Sequence, residues 1–192
     1  MHLPNEDSLV GKGVSYCSTC DAPLYKDKDV VVVGGGNAAV EGAILISKYA
    51  NKVHLVYRGD SLYRPEKVLL KQFQECKNID LHLNSQISEI SEDDNGVNGV
   101  KIIKSKQEEK LTCDGLFIEI GADPRLELPK QLNLLIDPET NEVSVNKLME
   151  TSLKGIFAAG DLTNASGPLK QTVTAAGQGA IAALSAYTYL SS

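Results

Sequence analysis

The sequence predicts an α/β protein with a parallel sheet and an antiparallel meander, and three observations support this fold class. An apolar strand at residues 30–33 runs through three glycines into a helical segment and a second apolar strand, so that residues 29–58 form a βαβ unit. Alternating segments at 86–93 and 97–105, separated by Asp-Asn-Gly, predict the first two strands of a meander. A buried strand at 115–121 closes this first region.

The other elements of the first region follow from local patterns. Residues 65–77 predict a helix, with Pro65 suited to its first turn. The apolar residues of that helix are expected to form one buried stripe, made of Val68, Leu69 and Phe73. Short strands are predicted at 79–83, before the meander, and at 108–115, as its third strand.

Beyond Gly121 the pattern changes. A Pro-punctuated segment is followed by a short predicted strand at 141–146, a buried strand at 155–161 and a terminal helix at 172–190. About 70 residues with one long helix and few strands bury little core unaided. We therefore expect this block to pack against sequence outside the chain and, by itself, to expose an apolar patch.

Composition excludes several classes of function. The net charge of -6 argues against a nucleic-acid-binding surface, because phosphate backbones select clustered Lys and Arg. The first fifteen residues lack the apolar run of a signal peptide, and no later stretch approaches the roughly 20 apolar residues of a membrane span. The expectation is a cytoplasmic protein that binds neither nucleic acid nor membrane.

The glycine turn predicts a dinucleotide site. It reads Gly34-x-Gly36-x-x-Ala39, follows a strand and opens a helix, as the Rossmann fingerprint requires. Gly34 permits the tight turn and Gly36 lets the backbone approach a pyrophosphate, which would sit on the amides of Asn37 and Ala38 at the start of the helix. Glycine patterns alone also occur in turns that bind nothing, so the strand and helix around this one supply most of the weight.

Two arginines after the second strand favour NADPH over NADH. Arg58 and Arg64 are placed to make charge-assisted contacts with a 2′-phosphate. The alternative is that both arginines lie on a solvated surface. Asp60 lies slightly late for a ribose ligand but keeps NADH possible.

Four cysteines are too few and too unevenly spaced for a disulfide scaffold. Cys17 and Cys20, with two residues between them, predict either a redox-active disulfide or half of a metal site, and Asp21 beside them is suited to proton relay. A zinc site would want a second close pair, whereas Cys76 and Cys113 stand alone and are expected to be packed thiols.

The motifs taken together resemble one family over nearly the whole chain. The segment CSTCD, the strand-GGG-helix unit, GIFAAGD and KQTVTAAGQGAIAA closely resemble the low-molecular-weight thioredoxin reductases. The resemblance implies transfer of electrons from NADPH through FAD to the cysteine pair and on to a thioredoxin-like dithiol protein. It also implies three parts: a linker at 1–9, an NAD(P)H-binding domain at 10–118 and the C-terminal portion of a flavin domain at 119–192.

Residue roles are implied by the same resemblance. Cys20 corresponds to the flavin-facing thiol, Cys17 to the interchange thiol and Asp21 to the proton donor. The implied FAD-contacting residues lie near the C-terminus: Gly160, Asp161, Lys170, Gln171 and Thr172.

The chain also departs from the family pattern. Ala22 replaces a usual Gly, Lys170 stands where Arg is commoner, and Tyr57-Arg58-Gly59 keeps one of two usual arginines, which leaves NADH open. The family's leading FAD-binding βαβ unit is missing. We therefore expect either a truncated portion of the enzyme or a separate front-half chain that supplies the flavin-binding part, with a homodimer when complete.

Two alternatives remain open at the level of sequence. One is a non-catalytic NAD(P)-binding module. The other is a related flavoprotein with a different electron donor or partner, such as a peroxiredoxin-reducing subunit or a ferredoxin-linked reductase.

Overall fold

The computed structural model describes residues 1–63, 66–121, 124–167 and 169–191. The chain divides into two compact units, Met1–Gly121 and Ala122–Ser192. Among the described residues, no helix has both the length and the apolar character that crossing a bilayer requires.

A five-stranded parallel sheet organises the first unit and confirms the predicted fold class. Its spatial order is β1-β8-β2-β3-β4. The strands are β1 (Val14–Ser15), β2 (Asp29–Val33), β3 (Lys52–Val56), β4 (Ile79–His82) and β8 (Gly115–Ile118). The central strand β2 pairs in parallel with β3 on one side and with β8 on the other.

Both faces of β2 are buried, which explains its unbroken valine run. Val30 and Val32 belong to a core cluster with Ala39 of helix α2 (Asn37–Ser47). Val31 and Val33 belong to a second cluster that includes residues of the meander. A strand covered on both faces reads as continuously apolar, whereas alternation marks strands with one wet face.

The three-stranded antiparallel sheet is confirmed as a meander. Its strands are β5 (Ser85–Asp93), β6 (Gly96–Lys104) and β7 (Gln107–Leu111). The two-residue link between β5 and β6 matches the predicted Asp-Asn-Gly turn. The buried face supplies Ile90, Val100 and Ile102 to the second core cluster.

Two short helices complete the first unit: α1 (Ser18–Asp21) and α3 (Lys67–Glu75). The prediction that Val68 lies in a buried stripe is wrong, because its side chain is 66% exposed. Phe73, by contrast, packs against the α2 core cluster. Leu69 and Phe73 are half-buried and no described residue of α3 is buried, so the helix has a partly covered apolar side instead of the predicted buried stripe. Pro65 lies outside the described residues.

The described residues of the second unit form two α-helices, α4 (Glu127–Gln131) and α5 (Thr172–Ser191), and α5 confirms the predicted terminal helix. The predicted strands at 141–146 and 155–161 do not form. Within the described part of this unit, Val143 and Phe157 make only isolated bridges, Val143 with Ile136 and Thr163, and Phe157 with Glu150. A strand needs a neighbour along its length to satisfy its backbone groups, and these segments meet one residue at a time.

Helix α5 leaves many apolar side chains in solvent, as expected for the second block. The most exposed are Val173 at 76%, Leu184 at 67%, Tyr187 at 70% and Leu190 at 82%. The small core of this unit is instead built from Leu126, Leu134 and Val143.

Two histidines meet across adjacent strands of the first unit. His54 Nδ1 on β3 lies 3.1 Å from His82 Nε2 on β4. Burial lowers the pKa of both imidazoles, and for His54 the facing His82 lowers it further. Lys52 and Asp80, ion-paired at 2.7 Å, flank the pair.

We predict that this pair makes the protein less stable in mild acid. A pKa lowered in the folded state means that the unfolded chain binds more protons, so the free energy of unfolding rises with pH. Stability is therefore complete above about pH 6.5 and declines as the pH falls below it. Urea unfolding between about pH 7.5 and 5.5 should show this decline, and His54→Asn/His82→Asn should flatten it. A wild-type stability that stays constant across this window would contradict the assignment.

Candidate functional site

The glycine turn between β2 and α2 exposes the start of a helix. Gly36 is the N-cap of α2, and no side chain caps it. Asn37 and Ala38, the first helical residues, are exposed. Backbone amides at an uncapped helix start are suited to binding an anion such as a pyrophosphate.

Gly34 and Gly36 serve different purposes. Gly34 has a φ of +147°, and a Cβ there would lie 2.3 Å from the carbonyl oxygen of Glu119 and 2.7 Å from the Cβ of Ala39. A Cβ on Gly36 would meet nothing within 4 Å. Gly34 is therefore required by the fold, whereas Gly36 borders the open space in which a ligand would lie.

A cleft of about 990 Å³ opens beside this turn at the carboxyl edge of the parallel strands. Its volume reaches the upper end of the range typical of small-molecule sites, and the carboxyl edge is where open α/β sheets bind ligands. The lining comes from five segments of the first unit: 1–3, 33–38, 56–58 with Tyr63, 85–87 and 119–121.

Tyr57, directly after β3, forms part of the wall of the cleft. Its ring packs against Gly35 and Gly59 so closely that a Cβ on either glycine would lie 2.4 Å or 2.6 Å from a ring carbon. Gly35 also accepts the Tyr63 N–H at 2.7 Å, which ties this loop to the glycine turn. The Tyr57 ring thus fills the gap between the two glycines.

The predicted phosphate-binding cations are only partly described. Arg58 is exposed and lines the cleft. Arg64 lies outside the described residues. Asn37, predicted to face the cofactor, accepts the N–H of Glu66 through Oδ1 at 3.2 Å, so its side chain holds the start of α3 while its backbone stays at the helix end.

Cys17 and Cys20 form a disulfide, which confirms the predicted redox pair. Cys17 is the N-cap of α1, and its Sγ accepts the Cys20 N–H at 3.2 Å. Cys20 is exposed and Cys17 is half-buried. The disulfide therefore lies at the surface of the first unit.

Asp21 is held by a serine that the sequence did not single out. Ser15 Oγ donates to Asp21 Oδ2 at 2.7 Å and accepts the Cys17 N–H at 3.1 Å. Ser15 is buried, so this contact fixes the carboxylate relative to the start of the disulfide helix. A proton donor for a thiolate needs such fixed geometry.

The other two cysteines are packed thiols, as expected. Burial raises the pKa of Cys113 to about 12, which keeps it protonated and unreactive. Cys76 is half-buried and donates to the Gln72 carbonyl at 3.3 Å. The described residues contain no group of three or more His, Cys, Asp or Glu side chains that could hold a metal ion.

Glu119, at the end of β8, joins the cleft to the disulfide helix. Its Oε1 accepts the Ser18 N–H at 3.1 Å, and the residue also lines the cleft. Gly42 of α2 makes room for this contact, because a Cβ there would lie 2.9 Å from Ser18 Oγ. Sequence reasoning missed Glu119, since it reads as the polar residue of an otherwise buried strand.

In the second unit the structure brings three of the five predicted flavin residues together. Lys170 Nζ donates to the carbonyl of Asp161 at 2.9 Å and pairs with the Glu142 carboxylate. Gly160, with a φ of +80°, donates its N–H to Gln178 Oε1 at 2.7 Å. Gln178 was not predicted, although a buried amide among the small residues of α5 is the signal that marks it.

Gln171 and Thr172 lie at the entry to α5. The Gln171 N–H donates to Thr174 Oγ1 at 3.2 Å, and Thr172 is the first residue of the helix and is exposed. The Asp161 side chain is also exposed, which leaves its carboxylate available to a hydroxyl-bearing ligand.

Comparison with known proteins gives a consistent result. The family model described as pyridine nucleotide-disulphide oxidoreductase matches residues 1–179. A thioredoxin reductase of Bacillus subtilis is 40% identical over 190 residues, 98% of this chain and 58% of the relative. One of Coxiella burnetii is 42% identical over 201 residues, 99% of this chain and 61% of the relative.

Solved structures agree. The crystal structure of thioredoxin reductase from Streptococcus pyogenes superposes with a TM-score of 0.87 at 36% identity, over 100% of this chain and 61% of that one. The chain thus spans about 60% of the length of the relatives it matches.

The two glycines of the turn provide a prediction about stability. Gly34→Ala should lower the free energy of unfolding by about 1–3 kcal/mol from backbone strain, with further loss from the clash with Glu119. Gly36→Ala is the matched control and should cost less than about 1 kcal/mol. Urea unfolding of both variants measures the difference. Equal losses at the two positions would rule out the distinct roles assigned to them.

Proposed function

Because this chain belongs to the pyridine nucleotide-disulphide oxidoreductase family, we propose that it carries the nicotinamide-binding and redox-disulfide part of a thioredoxin reductase. The observation that carries the proposal is the presence, in one compact unit, of an uncapped glycine turn in a cleft and of the Cys17–Cys20 disulfide. The complete protein would reduce a thioredoxin-like disulfide with electrons from NAD(P)H.

The cleft residues fit a dinucleotide. Open space beside Gly36 and the exposed amides of Asn37 and Ala38 suit a pyrophosphate, while exposed Arg58 suits a 2′-phosphate. These features support NADPH, with NADH as the alternative cofactor. When bound, the nicotinamide and the flavin of the complete protein supply two electrons to the disulfide.

FAD would be held in part by the second unit. The exposed carboxylate of Asp161 suits a ribityl hydroxyl. The other proposed FAD contacts are the preceding Gly160 and the entry to α5, at Lys170, Gln171 and Thr172. The relatives extend well beyond the matched length, which supports a proposal that further sequence, on the same or a second polypeptide, supplies the rest of the flavin site. A cytoplasmic homodimer is the form proposed for the complete protein.

The chain's own chemistry is thiol–disulfide exchange. Two electrons and two protons convert the Cys17–Cys20 disulfide into two thiols. The Cys17 thiol then gives up its proton, and the resulting thiolate attacks the partner disulfide, forms a mixed disulfide and displaces a partner thiolate. Cys20 attacks the mixed disulfide, which restores the intramolecular bond and releases the partner as a dithiol. Asp21, held in place by Ser15, supplies a proton to the partner sulfur that leaves.

The cofactor assignment predicts different effects at two positions. Gly36→Ala places a methyl group in the pyrophosphate space and should weaken NADPH and NADH alike by about tenfold or more. Arg58→Gln should weaken NADPH by about tenfold and leave NADH unchanged, because only NADPH carries the 2′-phosphate. Titration calorimetry measures both affinities.

Matched controls lie in the second unit. Gly177→Ala, where an added Cβ meets nothing within 4 Å, and Arg125→Gln should leave both affinities at wild-type values. Failure of the folded wild-type chain to bind either dinucleotide would refute the nicotinamide site.

The disulfide assignment predicts a trapped intermediate. Cys20→Ser keeps Cys17 but removes the resolving thiol, so that a mixed disulfide with an oxidised thioredoxin-like protein should accumulate. Cys17→Ser should form little of this species. Non-reducing electrophoresis with mass spectrometry measures the adduct. No adduct with either variant would contradict the proposed exchange, and an adduct only with Cys17→Ser would reverse the two thiol roles.

A further inference from the structure

The side chain of Glu119 reaches the disulfide helix while its main chain borders the glycine turn. We propose that Glu119 is a positioning residue whose negative charge makes the Cys17–Cys20 dithiol a stronger reductant. The inference rests on the proposed function in taking this pair as the working redox centre.

The carboxylate is held close to the start of α1. Its Oε1 accepts the N–H of Ser18, the residue directly after Cys17. Ser18 is buried and Glu119 is half-buried, so their interaction is only partly screened by water. The carboxylate therefore acts on a sulfur one peptide away through a partly desolvated path.

The anchor of this carboxylate is rigid. The Glu119 N–H donates to the Val33 carbonyl at 2.9 Å, which fixes the residue to the end of β2. On the other side, α2 lies within van der Waals range, since a Cβ on Gly42 would lie 3.6 Å from Glu119 Oε1. The side chain is thus confined between the sheet, α2 and the disulfide helix.

The effect of Glu119 on the redox pair comes from repulsion between its carboxylate and the thiolate that forms on reduction. Reduction of the disulfide produces a thiolate whenever the pH exceeds the pKa of the first thiol. Glu119 repels that thiolate, whereas Asp21, the proton donor of the exchange, is bonded to the Ser15 hydroxyl. A fixed negative charge therefore disfavours the reduced, ionised form and favours the disulfide, so that the dithiol gives up its electrons more readily.

The effect must depend on pH. When both thiols are protonated they carry no charge for Glu119 to repel, so the carboxylate has little influence. At higher pH the thiolate forms and the repulsion is expressed in full. This dependence separates an electrostatic role from a merely structural one, which would act equally at every pH.

The test uses Glu119→Gln in the full chain. Gln keeps an oxygen that accepts the Ser18 N–H but removes the charge. The equilibrium constant for exchange with glutathione is measured from about pH 6 to about pH 9. The variant should match the wild type at the acidic end and favour the dithiol by about three- to tenfold at the alkaline end.

The control removes the same charge elsewhere. Glu89→Gln, at an exposed position on β5, should follow the wild-type equilibrium at every pH. In a Cys20→Ser background, Glu119→Gln should also lower the pKa of the Cys17 thiol, read from thiolate absorbance in the ultraviolet. In the wild type, added salt should shift the alkaline equilibrium toward the dithiol, a measurement that needs no variant.

The outcomes distinguish this inference from the proposed function, because no nucleotide or flavin takes part. If the disulfide exchanges and the equilibrium constants of Glu119→Gln and wild type agree at all pH values, the role of Glu119 is overturned. The proposed function then still stands. A shift that is the same at every pH also overturns it, in favour of a structural role. A pair that does not exchange with any dithiol overturns the proposed function instead.

Discussion

Parallel pairing of β2 with a neighbour on each side is the constraint on which the rest of this molecule depends. Because β3, β2 and β8 run in the same direction, their carboxyl ends meet at one edge of the sheet. The glycine turn, the Arg58 loop and Glu119 follow directly from those three ends. The valines of β2 can lie in this position only because α2 covers one face and the meander the other.

The sequence predicts this half of the fold well because its signals are local. An apolar run before Gly34, a helix after it and a two-residue turn between β5 and β6 each specify structure within a few residues. The CxxC spacing predicts the disulfide in the same way. Glu119 escaped prediction because its contact lies across the fold, with a residue 101 positions away. Ser15 contacts Cys17 and Asp21 within six positions, but a single serine hydroxyl has no spacing pattern that would mark it.

The second unit resisted prediction for a related reason. Residues 155–161 have the composition of a buried strand, but composition fixes strand structure only when a partner lies alongside. In the described chain Phe157 finds a single bridge, while the unit is held by polar contacts of Gln178 with Gly160, Thr163 and Ser166. The apolar face of α5 is correspondingly left in solvent. An apolar segment therefore indicates that a strand can form, but the strand forms only where a neighbouring segment pairs with it.

Glu119 lies between the two chemical features of the first unit, the glycine turn of the cleft and the Cys17–Cys20 disulfide. A carboxylate beside a turn that is suited to phosphate would ordinarily oppose an anionic ligand. Here one carboxylate oxygen is engaged by the Ser18 N–H on the disulfide helix, while the main-chain carbonyl packs against Gly34. The charge is thus committed to the redox pair, and the amides of Asn37 and Ala38 remain at the cleft. One residue can serve both features because its main chain and its side chain face different neighbours, and a displacement of either neighbour must act on the other through it.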